Sequence, residues 1–349
     1  MNSLYFLYYL RYSQQELIDQ ATGTTFQAVS GNVVRNHLVP LPPIPTQHLI
    51  VAEIEKQFTR LDAAVAALRR AKANLARYKA AVLKAAVEGR LVAQTSEVSE
   101  TSEVLLTRIL AERRAQWEAA NPKKKYVEPK RPDVAGLPEL PVGWVWASIG
   151  QLFDVKVGAT PSRAQPSYWG GDIAWVSSGE VSFRRIRATK ETLTKEGIAN
   201  SSARVNPAET VLLAMIGEGK TRGQAALLEI PAANNQNAAA ILCADSPIPS
   251  AWVFYWLMAN YEETRSGGSG GMQPALNSQL VRAIAIPLAP ISVMKQMIEQ
   301  IEEKLSLIES ADQVIDANLA RADRLRQGVL GRAFRGELVQ NTPELPELM

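Results

Sequence analysis

Two stretches of the chain place apolar residues every seven positions over more than forty residues without an internal proline. In the first, Ile54, Leu61, Leu68, Leu75 and Val82 form the seam, with Phe58 and Val65 four residues beyond its first two members. In the second, Ile301, Ile308, Ile315, Ala322 and Val329 do the same, joined by Leu305 and Leu319. The spacing predicts long helices within residues 46–92 and 291–339, stopping near Gly89 and Gly336 and each about 60 to 65 Å long at 1.5 Å per residue. One such run would suit an ordinary bundle helix. Two of them favour mutual pairing, and the alanine-rich stretch from Ala63 to Ala86 permits close approach.

Between the helices the pattern changes. Residues 93–140 start as a polar Ser/Glu tract, continue through a predicted helix from Thr101 to Ala119, and end in Pro122-Lys-Lys-Lys-Tyr126 and Glu128-Pro-Lys-Arg-Pro132, which read as a solvated, basic, proline-punctuated tether. Residues 141–290 carry short β-type segments, Ile173–Val176, Thr210–Ile216, Gln224–Ile230 and Ala238–Leu242, separated by Gly, Pro, Asn and Ser. The fold class expected is α+β: one β-rich domain and two long helices.

A repeat organises these parts. Pro40-Leu-Pro-Pro-Ile44 and Pro287-Leu-Ala-Pro-Ile291 are 247 residues apart, and the same offset relates Ser3, Tyr8, Leu10, Ile54-Glu55, Val82-Leu83 and Gly89 to Ser250, Tyr255, Leu257, Ile301-Glu302, Val329-Leu330 and Gly336. Each unit reads as an aromatic helix, a glycine-containing loop, a strand ending in Pro-Leu-x-Pro-Ile, and a long helix. The N-terminal run Leu4–Leu10 is therefore the counterpart of a domain helix and not a signal peptide; it also lacks a basic flank and a cleavage site. Residues 1–45 would then be the counterpart of the C-terminal end of the β-rich domain, and residues 340–349 a tail.

Charge adds one distinction. The formal net charge is +3, yet residues 46–92 carry nine basic against four acidic side chains, whereas residues 291–339 carry seven against eight. One cysteine, Cys243, and two separated histidines exclude an internal disulfide and most Cys/His zinc frameworks, and point to a reducing, cytoplasmic setting with no membrane span.

The order of several short motifs gives the chain a family resemblance. Leu140-Pro-x-Gly-Trp-x-Trp146, Gly158-Ala-Thr-Pro161, Trp169-Gly-Gly-Asp-Ile-Ala-Trp-Val-Ser177, Ile216-Gly-Glu-Gly-Lys220, Asn234-Asn-Gln-Asn237 and the Gly267–Gly271 loop, with Pro-Leu-x-Pro-Ile and helices ending Glu88-Gly-Arg-Leu91 or Arg335-Gly-Glu-Leu338, resemble the specificity (S) subunits of type I restriction-modification systems. The resemblance implies a target-recognition domain over residues 141–290 and two long helices pairing as an antiparallel coiled coil. It also implies double-stranded DNA, methyltransferase (M) subunits and a restriction (R) subunit as partners, with S-adenosylmethionine, ATP and Mg used by those partners and no cofactor in this chain. Family members carry two complete recognition domains; here the first is represented by residues 1–45 alone, and self-association through the long helices is one way to restore a two-domain reader.

Major-groove reading calls for Arg, Lys, Asn, Gln and Ser on loops. The candidates are Thr160, Ser162, Arg163, Ser177, Ser178, Glu180, Arg184, Arg185, Arg187, Lys220, Arg222, Gln273 and Asn277. Asn234 to Asn237 read equally as a turn whose side chains satisfy backbone groups. Gly219-Lys220-Thr221 imitates a phosphate-binding loop, but Ala214 replaces its first glycine, which favours a turn presenting Lys220 and Arg222. The sequence shows no methyltransferase Asn/Asp-Pro-Pro-aromatic motif and no nuclease carboxylate set, and His37 and His48 suit structural roles beside the proline strand. The expectation is a non-catalytic specificity subunit directing methylation and cleavage by partner subunits. The alternative is a degenerate or inhibitory protein that docks the M subunit without delivering specificity.

Overall fold

The computed structural model describes residues 1–21, 28–92, 100–217, 219–267 and 275–339. Its elements in chain order are helices α1 (Ser3–Tyr12), α2 (Gln14–Asp19), α3 (Gly31–Asn36), α4 (Ile44–Val87) and α5 (Ser102–Ala120), then β1 (Val145–Ser148), α6 (Ile149–Leu152), β2 (Asp154–Val157), β3 (Trp169–Val176), β4 (Arg184–Ile186), β5 (Glu191–Leu193) and α7 (Lys195–Ala199). Strands β6 (Thr210–Ala214), β7 (Ala225–Leu228), β8 (Ala233–Asn234) and β9 (Ala238–Leu242) follow, then α8 (Ser250–Ala259), α9 (Tyr261–Ser266), α10 (Ser278–Ala283), β10 (Ala285–Leu288) and α11 (Ile291–Phe334). Contacts divide the chain into two compact units, residues 1–77 with 307–349, and residues 78–306.

The 247-residue offset holds at both ends of four helix pairs. It carries α1 onto α8, α2 onto α9, α3 onto α10 and α4 onto α11, start and finish alike. Both long helices have 44 residues, about 66 Å at 1.5 Å per residue. Each ends at a glycine with positive φ, Gly89 and Gly336. There the N–H groups of Arg90 and Glu337 return to the carbonyls of Ala85 and Arg332 at 2.8 Å, satisfying carbonyls that the last turn leaves free.

Within the first unit the long helices run antiparallel. Lys72 pairs with Asp312 (3.6 Å) and Asp316, and Arg326 pairs with Asp62, so position rises on one helix as it falls on the other. The predicted seam faces inward: Ile54, Ile308, Ile315 and Ala322 are buried, and Leu61, Leu68, Leu75 and Val329 are half-buried. Tyr5, Tyr8, Ile50, Val51, Ile54, Leu330 and Ala333 form the core that fastens α1 to the helix pair.

In the second unit Val82 and Ile301 are buried members of the same seams. Strands β2-β9-β6-β7-β4 form a five-stranded sheet, β5-β3-β8 a three-stranded one, and β1 pairs with β10 antiparallel from Val145↔Leu288 to Ser148↔Ala285. β6 and β7 are buried at every position, which explains their unbroken apolar sequences. β10 exists because β1 supplies its partner. Its repeat counterpart, residues 38–41, has no such partner among the described residues and forms no strand.

The tether expectation is corrected. Tyr126 packs edge-on against Trp117 at 5.3 Å, Arg114 pairs with Glu128 at 3.2 Å, and the Ser148 hydroxyl donates to the Lys130 carbonyl at 2.8 Å. The segment is thus bound to α5 and to the end of β1, while the side chains of Lys123, Lys124 and Lys125 stay exposed. Aromatic and carbonyl groups hold it, a feature that proline content and charge conceal.

Candidate nucleic-acid interface

The five-stranded sheet has one end at which every strand meets a loop. β2 leaves at Val157 opposite Ala239, β9 enters at Ala238 opposite Ala214 of β6, β7 enters at Ala225 opposite Leu213, and β4 enters at Arg184 opposite Ala226. Four loops converge there: residues 158–168, 177–183, 215–217 with 219–224, and 235–237. The Leu276 N–H donates to the Met215 carbonyl at 2.9 Å, bringing the start of α10 to the same end.

These loops are held by backbone atoms. The indole N–H of Trp175 donates to the Ala159 carbonyl (3.1 Å) and that of Trp169 to the Ser162 carbonyl (3.2 Å). The Ala159 N–H reaches the Asn234 carbonyl at 2.9 Å, and Met215 N–H the Asn237 carbonyl at 2.8 Å. A Cβ at Gly158 would stand 2.0 Å from the Asn234 carbonyl oxygen, so glycine is required for the two loops to touch. Asn234 is buried, accepts from Asn206 Nδ2 (2.9 Å) and donates to the Ala238 carbonyl (2.7 Å), the structural use its sequence context allowed.

The sequence candidates separate into two groups. Thr160, Ser162, Ser177, Ser178, Arg184, Lys220 and Arg222 lie on the loop end, Ser162, Arg184 and Lys220 with exposed side chains. Thr160 donates to Gln236 Oε1 at 2.6 Å, and Ser178 Oγ accepts from Asn235 Nδ2 at 3.4 Å. Among the described residues Lys220 makes no ion pair; its carbonyl accepts from the Tyr261 hydroxyl at 2.6 Å, which fixes the turn that presents it.

The other group is engaged within the protein. Glu180 is buried, accepting from the Ser177 N–H (3.1 Å), the Ser177 hydroxyl (3.0 Å) and the Lys190 N–H (3.0 Å). Arg163 forms a two-bonded pair with Glu191 and lies 4.0 Å over the Trp169 ring; its hydrogen bonds hold the Glu191 carboxyl below the usual carboxylate range. Arg185 and Arg187 point away from the Arg184 face. Arg185 pairs with Glu229 (3.3 Å) and with Glu302 of α11, and Arg187 pairs with Glu229. Asn277 caps α10, its Oδ1 accepting from the N–H groups of Gln279 and Leu280 at 2.9 Å. Gln273 lies outside the described residues.

Two groups at the loop end escaped the sequence reading. Gln236 is exposed and bonded to Thr160, and Phe183 stacks edge-on against Tyr261 at 5.3 Å. Gln236 sits inside the Asn234–Asn237 stretch read as a turn, and nothing in the sequence separates it from buried Asn235 and half-buried Asn237.

A recognition domain with a loop-bearing sheet end, set between two copies of one helical repeat, is the architecture of a specificity subunit. The chain belongs to the type I restriction modification DNA specificity family, whose domain model matches residues 141–315. It is 20% identical over 99% of its length to the EcoDI specificity subunit of Escherichia coli, spanning 72% of that protein. To the Escherichia coli EcoBI specificity subunit it is 23% identical over 94% of its length, spanning 64% of that protein. Its fold is similar to a chain of a type I R-M system solved for complex assembly and conformational transition, with a TM-score of 0.67, 18% identity and coverage of 95% of this chain and 71% of that one. The HsdS subunit from Thermoanaerobacter tengcongensis matches with a TM-score of 0.53 at 18% identity, over 97% of this chain and 71% of that one.

Proposed function

We propose that residues 141–290 read double-stranded DNA through the loop end of the five-stranded sheet, and that the long helices carry the surface on which methyltransferase subunits dock. The observation that supports this reading is the convergence of four loops at one sheet end, bearing Ser162, Arg184, Lys220 and Gln236 on exposed positions. Amide and guanidinium groups suit base edges, and an unpaired lysine suits a phosphate. Methyl transfer and ATP-driven cleavage then belong to the M and R subunits, which would bring S-adenosylmethionine, ATP and Mg. The chain's part is address.

The test has two stages. Methylome sequencing of cells expressing the chain with its M subunit should reveal a new modified motif; silence would favour the docking protein without specificity. With that motif as probe, Lys220→Ala should weaken binding on all sequences alike and reduce the slope of log affinity against log salt by about one. An unchanged slope would remove Lys220 from the interface.

A further inference from the structure

Helix α9 matches α2 in length and in repeat position, yet two of its side chains have no counterpart in kind. Tyr261 and Arg265 stand where the first copy has Gln14 and Ile18, both exposed. The helix forms without them, so their use lies outside it. α9 follows directly on α8, whose Trp252 and Trp256 indoles donate to the Pro287 and Ala285 carbonyls of β10 at 2.9 Å. Asn260 joins the two helices: its N–H donates to the Trp256 carbonyl at 3.0 Å and its carbonyl accepts from Thr264 at 2.9 Å. Tyr261 is thus carried on a firmly held base.

From there Tyr261 reaches two of the converging loops with different parts of one side chain. Its hydroxyl donates to the Lys220 carbonyl at 2.6 Å and accepts from Arg265 Nη1 at 2.9 Å, a guanidinium that makes no ion pair among the described residues. Its ring meets that of Phe183 edge to face at 5.3 Å, the planes at 86°. Each contact falls where its loop needs a hold. The turn carrying Lys220 has positive φ at Gly219 and Gly223, and its base is closed by the Gly223 N–H to the Ala214 carbonyl at 2.9 Å and the Gln224 N–H to the Thr221 carbonyl at 3.0 Å. A glycine-bearing turn has much freedom to lose, and the phenol fixes it near the tip. Phe183 directly precedes Arg184, and its φ of +53° is one that a bulky side chain keeps only where neighbours hold it. The Tyr261 ring does so, together with the bond from the Phe183 N–H to the Ala225 carbonyl at 2.7 Å.

We propose that Tyr261, backed by Arg265, is a positioning residue for recognition: its hydroxyl sets the Lys220 turn and its ring sets the Phe183–Arg184 segment. Two exposed cations on separate loops are thereby offered to DNA in one arrangement. A loop ordered beforehand loses less free energy to ordering when it binds. The inference rests on the reading of DNA by the loop end proposed above.

The test separates the two contacts in the full chain. Tyr261→Phe removes the hydroxyl and keeps the ring, whereas Tyr261→Leu removes both. In hydrogen exchange of the free protein, Tyr261→Phe should speed the Gly223 and Gln224 amides about fivefold, as the loss of one ordinary hydrogen bond does, and spare Phe183. Tyr261→Leu should speed Phe183 as well, with Leu212 unchanged in both. Binding is followed on a mixed-sequence DNA duplex, because phosphate contacts carry no sequence information. Tyr261→Phe alters no charge, yet the slope of log affinity against log salt should fall by about one, as in Lys220→Ala, and the double variant should fall no further. A merely structural role would lower the unfolding midpoint and leave the slope where it was. Unchanged exchange at Gly223 and Gln224 overturns the proposal, as does equal acceleration at Leu212, which would mean general loosening. A full slope in Tyr261→Phe beside a reduced one in Lys220→Ala overturns it too. If Lys220→Ala itself keeps the full slope, the DNA-reading proposal is what fails, and exchange alone decides whether Tyr261 holds the two loops.

Discussion

Glu180 offers a strong test of how the recognition loops are held. Its carboxylate is 3% exposed and accepts from the backbone N–H groups of Ser177 and Lys190, and from the Ser177 hydroxyl, all within 3.1 Å. Glu180→Ala removes the acceptor from two backbone donors on different segments. Each buried donor left without a partner costs about 1 to 3 kcal/mol. The serine hydroxyl is half-buried and turns to water, and the Arg184 contact at 3.6 Å involves a side chain 45% exposed, so it adds little. Both hydrogen bonds are only partly buried, which holds each donor to about 1 to 2 kcal/mol and the total to about 2 to 4 kcal/mol, local to residues 177–190. Hydrogen exchange reads this directly: at 1.4 kcal/mol per factor of ten, the Ser177 and Lys190 amides should exchange roughly 30 to 700 times faster, with Leu212 in the central sheet unchanged. Glu180→Gln, which keeps one acceptor oxygen, should fall between. DNA affinity should drop in the alanine variant although no exposed group has been removed. Exchange within threefold of the parent at both amides would refute the account.

Other expectations follow from the same contacts. A double-mutant cycle of Arg185→Ala and Glu302→Ala should give a coupling of about 0.5 to 1 kcal/mol, since both side chains are partly exposed, and the coupling should shrink in 1 M salt on the order of a 3 Å screening length; a value near zero in urea unfolding would deny the pair a role. Gly158→Ala forces a methyl into the Asn234 carbonyl, and should destabilise the loop end by about 1 to 3 kcal/mol, seen as faster exchange at Ala159 and Met215. The Arg187 hydrogen bond holds Glu229 below the usual carboxylate range, so the folded state favours its ionised form. That contribution is present above the unperturbed glutamate value of about 4.3 and is lost as pH falls through the depressed folded value. Glu229→Gln should flatten the acid limb of the stability curve in that window, and an unaltered limb would refute the assignment.

The helical half of the fold was legible because its determinants are local or repeated. Heptad spacing located both long helices and the fixed offset matched the aromatic helices α1 and α8, whereas the short pairs α2/α9 and α3/α10 keep the same offset in a stretch that reads in sequence as loop and strand. The β-rich domain was legible as segments but not as an arrangement. The three arginines of the Arg184–Arg187 stretch look equivalent in sequence. Alternation along β4 sends Arg184 to one face and Arg185 and Arg187 to the other, where their partners Glu229 and Glu302 lie 42 and more residues downstream. Arg163 and Glu180 were likewise taken for loop groups because their partners, Glu191 and the Lys190 amide, come together only through folding.

The anchors of the loop end have a bearing on how such a protein changes over generations. The indole N–H groups of Trp175 and Trp169 donate to main-chain carbonyls of the loops, and Asn237 and Leu276 bond to Met215 main chain to main chain, so the loop side of each fastening is a backbone group. Substitutions at Ser162, Lys220 or Gln236 leave those fastenings untouched, so the surface alphabet is free to drift while the frame beneath keeps its shape. On the proposed reading of DNA by these loops, a new target sequence would be a few point mutations away, and none of them would need a compensating repair in the sheet.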